Sequence, residues 1–237
     1  RLTDVTGVQT CALPIYTKPN EVNLWIVDLE TLSAKMISDY AINNVFSNLP
    51  YQWMPDSKSL LYLGISDNRA SKPEKSRVPA GPIIQQSNGK AAPVRTYQDL
   101  LQNQYDEQLF EYYTASELRQ AEINGTNRRL KIKGIIKSFS VSPDGSYIMV
   151  FNIVNPYSYI VPYYYFPYNV DIYDITGKLV KNLANIPLAE DIPSGNSAVR
   201  KGPRSHTWRS DCPASVYWTE ALDNGNPKEE AAFREQI

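Results

Sequence analysis

The chain has 237 residues, with 24 Lys and Arg against 25 Asp and Glu, for a net charge of −1; that balance excludes the basic footprint of a general nucleic-acid binder. Hydrophobic residues make up 42% and charged residues 21%, so the composition is neither that of a disordered acidic chain nor that of a membrane-inserted one, and no apolar run approaches the roughly 20 residues needed to span a bilayer. Seventeen Tyr and 17 Pro beside a single His point to many short strands joined by turns and away from a histidine-rich metal site, and neither metal nor cofactor is expected.

In chain order, residues 4–15 read DVTGVQTCALPI, a string that resembles a translated sequencing-library adapter and shows neither helical nor strand periodicity. Residues 1–15 are therefore set apart from the fold, and 16–237 are taken as one domain. Cys11 falls in the excluded string, which leaves Cys212 as a structural thiol.

A repeated unit follows. An apolar strand is followed by a turn with Asp at its centre, then by a second apolar strand. The first copy has Leu24–Leu29, then Trp53-Met54-Pro55-Asp56 and Leu60-Leu61-Tyr62. The second has Gln108–Tyr113 read as a strand, then Val141-Ser142-Pro143-Asp144-Gly145 and Tyr147–Val150. The third has Val170–Ile175, then Trp208–Asp211 and Val216–Trp218. Asp56, Asp144 and Asp211 stand where a side-chain oxygen can accept backbone N–H bonds from the turn that follows. Pro55 and Pro143 pre-set φ at the turn entrance, and Gly145 permits a positive φ. Asp28–Thr31 and Asp174–Lys178 read as further hairpin turns.

The three aspartates lie further apart than the about 40–50 residues of one propeller blade, so insertions or a missed blade separate them. The larger insertion, from Asn68 to Asp106, carries the polar run Ser71–Pro79, and Thr96 to Gln104 is assigned a short helix. Radial repetition of small sheets controls exposed strand edges. The expected fold is therefore all-β: an incomplete β-propeller of about three to four blades. An open arc of this kind, expressed alone, is expected to be poorly soluble.

Two stretches carry a more specific resemblance. One is Gly81-Pro82-Ile83-Ile84-Gln85 with Ala92–Leu101 and Asp106–Tyr113. The other is Pro156–Pro162 with Gly202-Pro203-Arg204-Ser205 and Trp208–Asp211. Over about residues 17–237 the chain resembles the N-terminal propeller of prolyl oligopeptidase-type serine peptidases, in particular the glutamyl endopeptidase-like branch. That resemblance implies a C-terminal α/β-hydrolase domain carrying the Ser-Asp-His triad. It also implies a peptide or unfolded polypeptide substrate admitted by the propeller, and a periplasmic or secreted setting. Neither nucleic acid nor membrane insertion is implied as a partner.

The chemistry of such a peptidase is missing from these residues. No G-x-S-x-G elbow occurs; the nearest fragment, Gly195–Val199, lacks the second Gly. The single His206 is read as a surface or strand-end residue. On a strand, His206 and Ser210 would stand about 13 Å apart, beyond hydrogen-bond reach. The chain alone is expected to be inactive.

Arg204 and Arg209 are candidate substrate-binding residues, because a guanidinium can grip a carboxylate with two hydrogen bonds; the structural alternative is an Arg209 paired within its own turn and a solvated Arg204. Arg200 and Lys201 add nearby positive charge. The aromatic run Tyr157–Tyr168 is either a peptide-binding wall or inter-blade packing. Asn124-Gly125-Thr126 matches a glycosylation acceptor. A stand-alone periplasmic binding propeller and an enzyme working inside its own channel are the rival readings.

Overall fold

The computed structural model describes residues 10–18 (backbone only), 21–46, 48–66, 69–75, 97–193 and 197–237. The chain folds into antiparallel meanders: Thr10–Lys18 (β1), Glu21–Asp28 (β2) and Ser33–Met36 (β3); Tyr51–Trp53 (β4) and Ser59–Ile65 (β5); the helix Gln104–Thr114 (α1); Ser116–Glu122 (β6), Asn127–Val141 (β7), Tyr147–Ile153 (β8), Tyr168–Asp174 (β9) and Leu179–Ile186 (β10); and Pro203–Trp208 (β11), Val216–Ala221 (β12) and Glu235–Gln236 (β13). Strand order is β1-β2-β3, then β4 through β10 in one continuous ladder, then β11-β12-β13.

The seven-stranded ladder is two blades sharing one strand. The first half of β7 pairs with β6, from Asn127 opposite Ala121 to Gly134 opposite Ser116. Its second half pairs with β8, from Ile135 opposite Ile153 to Val141 opposite Ile148. Gly134 stands at the changeover with φ 149, and a Cβ there would collide with the Asn152 amide. Only glycine lets one strand swing from sheet to sheet at this point.

Consecutive sheets pack face to face, because residues alternate sides along each strand. Leu24 and Ile26 of the first sheet, with Ile37 and Ile42 of the connection after β3, meet Leu60, Tyr62 and Ala121 of the second. The opposite face of the second sheet, with Leu61, Leu63, Leu118, Leu130 and Ile132, meets Ile136, Val141, Ile148 and Val150 of the third. The far face of the third sheet, with Met149, Val170 and Ile172, packs on Trp208 and Val216 of the fourth. Among the described residues this is an all-β, propeller-like arc of four small sheets, two of them four-stranded.

The inner hairpins close as their sequences dictate. Lys58 N–H donates to Asp56 Oδ1 at 2.9 Å, and Ser146 N–H donates to Asp144 Oδ1 at 3.0 Å, with Gly145 at φ 75. Asp211 differs. Two residues beyond it stands Pro213, which has no N–H to give, and Asp211 instead accepts from the Arg209 guanidinium at 3.0 and 2.6 Å. Adjacent turns touch: Asp144 N–H donates to the Pro213 carbonyl at 3.1 Å.

Several expectations are corrected. Gln108–Tyr113 is not a strand but lies in α1. Asn103 caps that helix by accepting from Asp106 N–H, Asp106 and Glu107 favour its N-terminal dipole, and these local signals outweigh the β-propensity of Leu-Phe and Tyr-Tyr. The short helix assigned to Thr96–Gln104 is displaced accordingly; it begins where that range ends. The partner strand of the second blade is β6, Ser-Glu-Leu-Arg-Gln-Ala-Glu, whose polar residues hid it. Residues 10–15, denied strand character, form part of β1, with Leu13 opposite Trp25. β1 pairs on one side only, and an edge strand tolerates Pro14. His206 is not at the surface: it is 7% exposed in the middle of β11. The stretches Gly81–Gln85 and Ala92–Thr96, and Gly195 and Asn196, lie outside the described residues.

Candidate functional site

Antiparallel order sorts the connections. The short Asp-centred hairpins gather at one end of the sheets. The described parts of the long connections gather at the other: residues 37–46 and 48–50, 69–75 and 97–115 with α1, 154–167, and 187–193 with 197–202. At that loop end they form one aromatic layer. Buried Ile135, Ile153, Val161 and Phe166 are packed by Phe46, Phe110, Tyr157, Tyr163 and Tyr165, among others. Phe110 of α1 sits edge-on to Phe166 at 5.7 Å and to Tyr157 at 5.3 Å. Phe46 lies 5.1 Å from Tyr163. The Tyr157–Tyr168 run is thus the β8–β9 connection, and it packs several connections together.

Polar ties hold the layer. The Tyr157 hydroxyl donates to Glu111 Oε1 at 2.9 Å, and burial followed by that carboxylate pushes its ionisation up. Ser158 Oγ donates to Glu190 at 2.6 Å. On the outside stand Ile160, Tyr164 and Tyr113, 44%, 45% and 41% exposed, which leaves apolar and phenolic surface facing solvent beside the buried layer. Arg69 lies 4.2 Å from the Tyr112 ring, and Lys72 lies 5.6 Å from Tyr113. Two further cations, Lys137 and Arg200, flank Tyr168.

A second polar group links the second sheet to the connection after β3, with buried Arg119 and Glu117 and the more exposed Asp39. Arg119 is 1% exposed, as is Glu117. Arg119 Nη2 lies 3.4 Å from Glu117 and its Nη1 3.5 Å from Asp39, and its guanidinium lies 3.6 Å from the Tyr40 ring. The Tyr62 hydroxyl donates to Asp39 at 2.6 Å. Burial first, then the Asp39 hydrogen bond, raise the Tyr62 ionisation. The Asp39 and Glu117 carboxylates both accept from protein groups, so the group ties the connection after β3 to the second sheet. Sequence reading missed it because β6 itself was missed; a seven-residue segment with charges at alternate, inward positions was the available signal.

The anticipated residues part company. Arg204, at the start of β11, pairs with Glu235 of β13. Arg209 pairs with Asp211 in the β11–β12 turn, at the hairpin end. The two arginines do not converge. His206 stacks on Trp218 at 5.9 Å; its Nδ1 is buried without a hydrogen-bond partner. Burial holds its pKa below 6.5, partly opposed by Glu220. Asp211 is committed to Arg209, so Ser210, Asp211 and His206 assemble no triad. Among the described residues, no group of three or more His, Cys, Asp and Glu could hold a metal ion.

No family model matches the chain. It is 39% identical over 221 residues to a probable chloroplastic glutamyl endopeptidase of Oryza sativa subsp. japonica, covering 92% of this chain and 23% of that protein. It is 37% identical over 218 residues to a protein of the same name from Arabidopsis thaliana, covering 90% and 22%. The chain thus spans less than a quarter of the length of these curated relatives. Among solved structures, TolB from Acinetobacter baumannii aligns with a TM-score of 0.40 at 13% identity, over 82% of this chain and 32% of that one. An acylaminoacyl peptidase from Pyrococcus horikoshii aligns with a TM-score of 0.39 at 16% identity, over 75% and 23%.

Proposed function

We propose that the chain is the non-catalytic propeller part of a prolyl oligopeptidase-type serine peptidase, gating and positioning peptides for an α/β-hydrolase domain that supplies the nucleophile. The observation that carries this reading is the 39% identity over 221 residues to a protein named as a glutamyl endopeptidase. The geometry is consistent with it. Long connections, exposed aromatic side chains and cations collect at one end of the sheets, whereas the other end is closed by tight, locally satisfied turns. A peptide needs apolar area and a few polar anchors, and the loop end offers both. No step of bond cleavage is assigned to these residues.

The test joins this sequence to its hydrolase domain and replaces the exposed loop-end residues, as in Ile160→Asp and Tyr164→Asp. KM for a ten-residue peptide should rise several-fold, while hydrolysis of a small activated ester stays unchanged. This chain alone should take up no serine-directed phosphonate. Equal effects on peptide and ester, or phosphonate labelling of this chain, would contradict the proposal.

A further inference from the structure

α1 is fastened unevenly. It has 11 residues, and in water a helix shorter than about 12–15 residues is marginal on its own. Thr114 alone of its residues is buried, so its order comes from a few ties to the rest of the chain. The last carbonyls of a helix lack intrahelical partners, and here those of Tyr112 to Ala115 each receive a side-chain donor. Arg69 Nε donates to the Tyr112 carbonyl at 2.6 Å. Asn43 Nδ2 donates to those of Tyr113 and Ala115 at 3.0 and 3.1 Å, and Ser116 Oγ to that of Thr114 at 3.0 Å. Asn43 is itself buried, and its N–H donates to the Leu63 carbonyl at 2.8 Å. This end of the helix is therefore anchored to β5 and runs directly into β6.

Ahead of that anchor α1 rests on the aromatic layer by one face. Glu107 and Glu111 stand one turn apart on it, and each meets a phenol of the β8–β9 connection. Tyr157 donates to Glu111 at 2.9 Å; burial, then a hydrogen bond to Glu107, raise the ionisation of Tyr159. Phe110 lies between them, edge-on to Tyr157 and Phe166. Clasps of this kind contribute little each, because water competes for the same groups. Glu111 also opposes the helix dipole, since it stands near the C-terminal end and the last turn holds no basic residue.

We propose that α1 is a lid over the aromatic layer, hinged at Tyr112–Ser116 and opened by melting of the turns ahead of the hinge. Once lifted, those turns are too short to stay helical. Phe166, buried in the closed state, and Tyr157 then face solvent as an apolar strip. The lid stands on these contacts alone; that apolar side chains of a peptide enter the uncovered strip rests on the peptidase reading above. In that case the open fraction sets the affinity, because a binding-competent state populated only in part weakens apparent binding by that fraction.

Hydrogen–deuterium exchange of the 237-residue chain tests the lid, with Glu111→Ala as the probe. Alanine is the better helix former, so a helix held by its own propensity would exchange more slowly in this variant. A clasped lid does the opposite: amides 108–114 should exchange about fivefold faster, the effect of one lost hydrogen bond, with β8 unchanged. In the wild type those helix amides should already exchange at least roughly tenfold faster than β8, a comparison that needs no variant. In the protein joined to its hydrolase domain, E111A should lower KM for the ten-residue peptide several-fold and leave ester hydrolysis unchanged. Faster α1 exchange with an unchanged KM keeps the lid and overturns its peptide role, whereas Ile160→Asp and Tyr164→Asp judge the peptidase reading itself. Slower or unchanged α1 exchange in E111A, or wild-type α1 protected as strongly as β8, overturns the lid.

Discussion

At the hairpin end, the carboxylates of Asp56, Asp144 and Asp174 find partners within two to four residues. Asp56 accepts from Lys58, Asp144 from Ser146, and Asp174 from Thr176 and Lys178. At the loop end the partners lie far apart in the chain. Tyr157 reaches Glu111, Ser158 reaches Glu190, Arg200 reaches the Tyr165 carbonyl, and Asn48 reaches the Lys137 carbonyl. One end is therefore a set of turns whose aspartates are satisfied locally and which meet through single backbone bonds such as Asp144 to Pro213, and the other is a layer of side chains tied across distant connections. A surface meant to grip or gate a chain is better built from the second kind, because its parts can respond together.

The largest expected difference between the ends comes from the aromatic layer. Phe166 is 2% exposed and meets Phe110 and Tyr157, so Phe166→Ala should cost about 3–5 kcal/mol in denaturant unfolding. It should also speed amide exchange in α1, which a purely local defect would not do. Tyr157→Phe removes only the hydroxyl bond to Glu111 and should cost about 1 kcal/mol. If it cost nothing, the tie between α1 and the β8–β9 connection would be dispensable.

Smaller effects belong to the hairpin end and are read by pH. Hydrogen bonds from the turns hold Asp28, Asp144 and Asp174 below the ordinary aspartate value of 3.8. Their contribution is present above that value and is lost as pH falls through the folded values. Acid unfolding curves of Asp144→Asn and Asp174→Asn should therefore be flatter below pH 3.8 than that of the wild type, with neither change altering exchange at the loop end. His206 acts at higher pH. Burial lowers its pKa, so the unfolded chain takes up a proton first, and stability falls as pH drops through 6.5 until the folded value is passed. His206→Gln should remove that slope; an unchanged slope would place the buried proton-refusing group elsewhere.

The same contrast explains what could be read from the sequence. Pro55-Asp56 and Pro143-Asp144-Gly145 announced their hairpins because the hydrogen bonds that define them close within the motif. Pro213 told against the same reading at Asp211, since it removes the N–H that an aspartate turn requires. β6 was illegible by hydropathy because Ser116, Glu117 and Arg119 occupy its buried positions, with Arg119 held by Asp39 and Tyr40 from the connection after β3. Gln108–Tyr113 looked like a strand until Asn103 was recognised as a helix cap. Arg200 was noticed only as local charge, since its partners, the Tyr165 carbonyl and the Tyr168 ring, are distant in the chain.

The central claim is that the loop end, rather than the hairpin end, meets a peptide. Hydrogen–deuterium exchange of this chain with and without the ten-residue peptide tests it most directly. The account predicts slowed exchange in residues 154–167 and 197–202, with residues 54–58 and 142–146 unchanged. Slowing at those hairpins, or no slowing at the loop end, would contradict it.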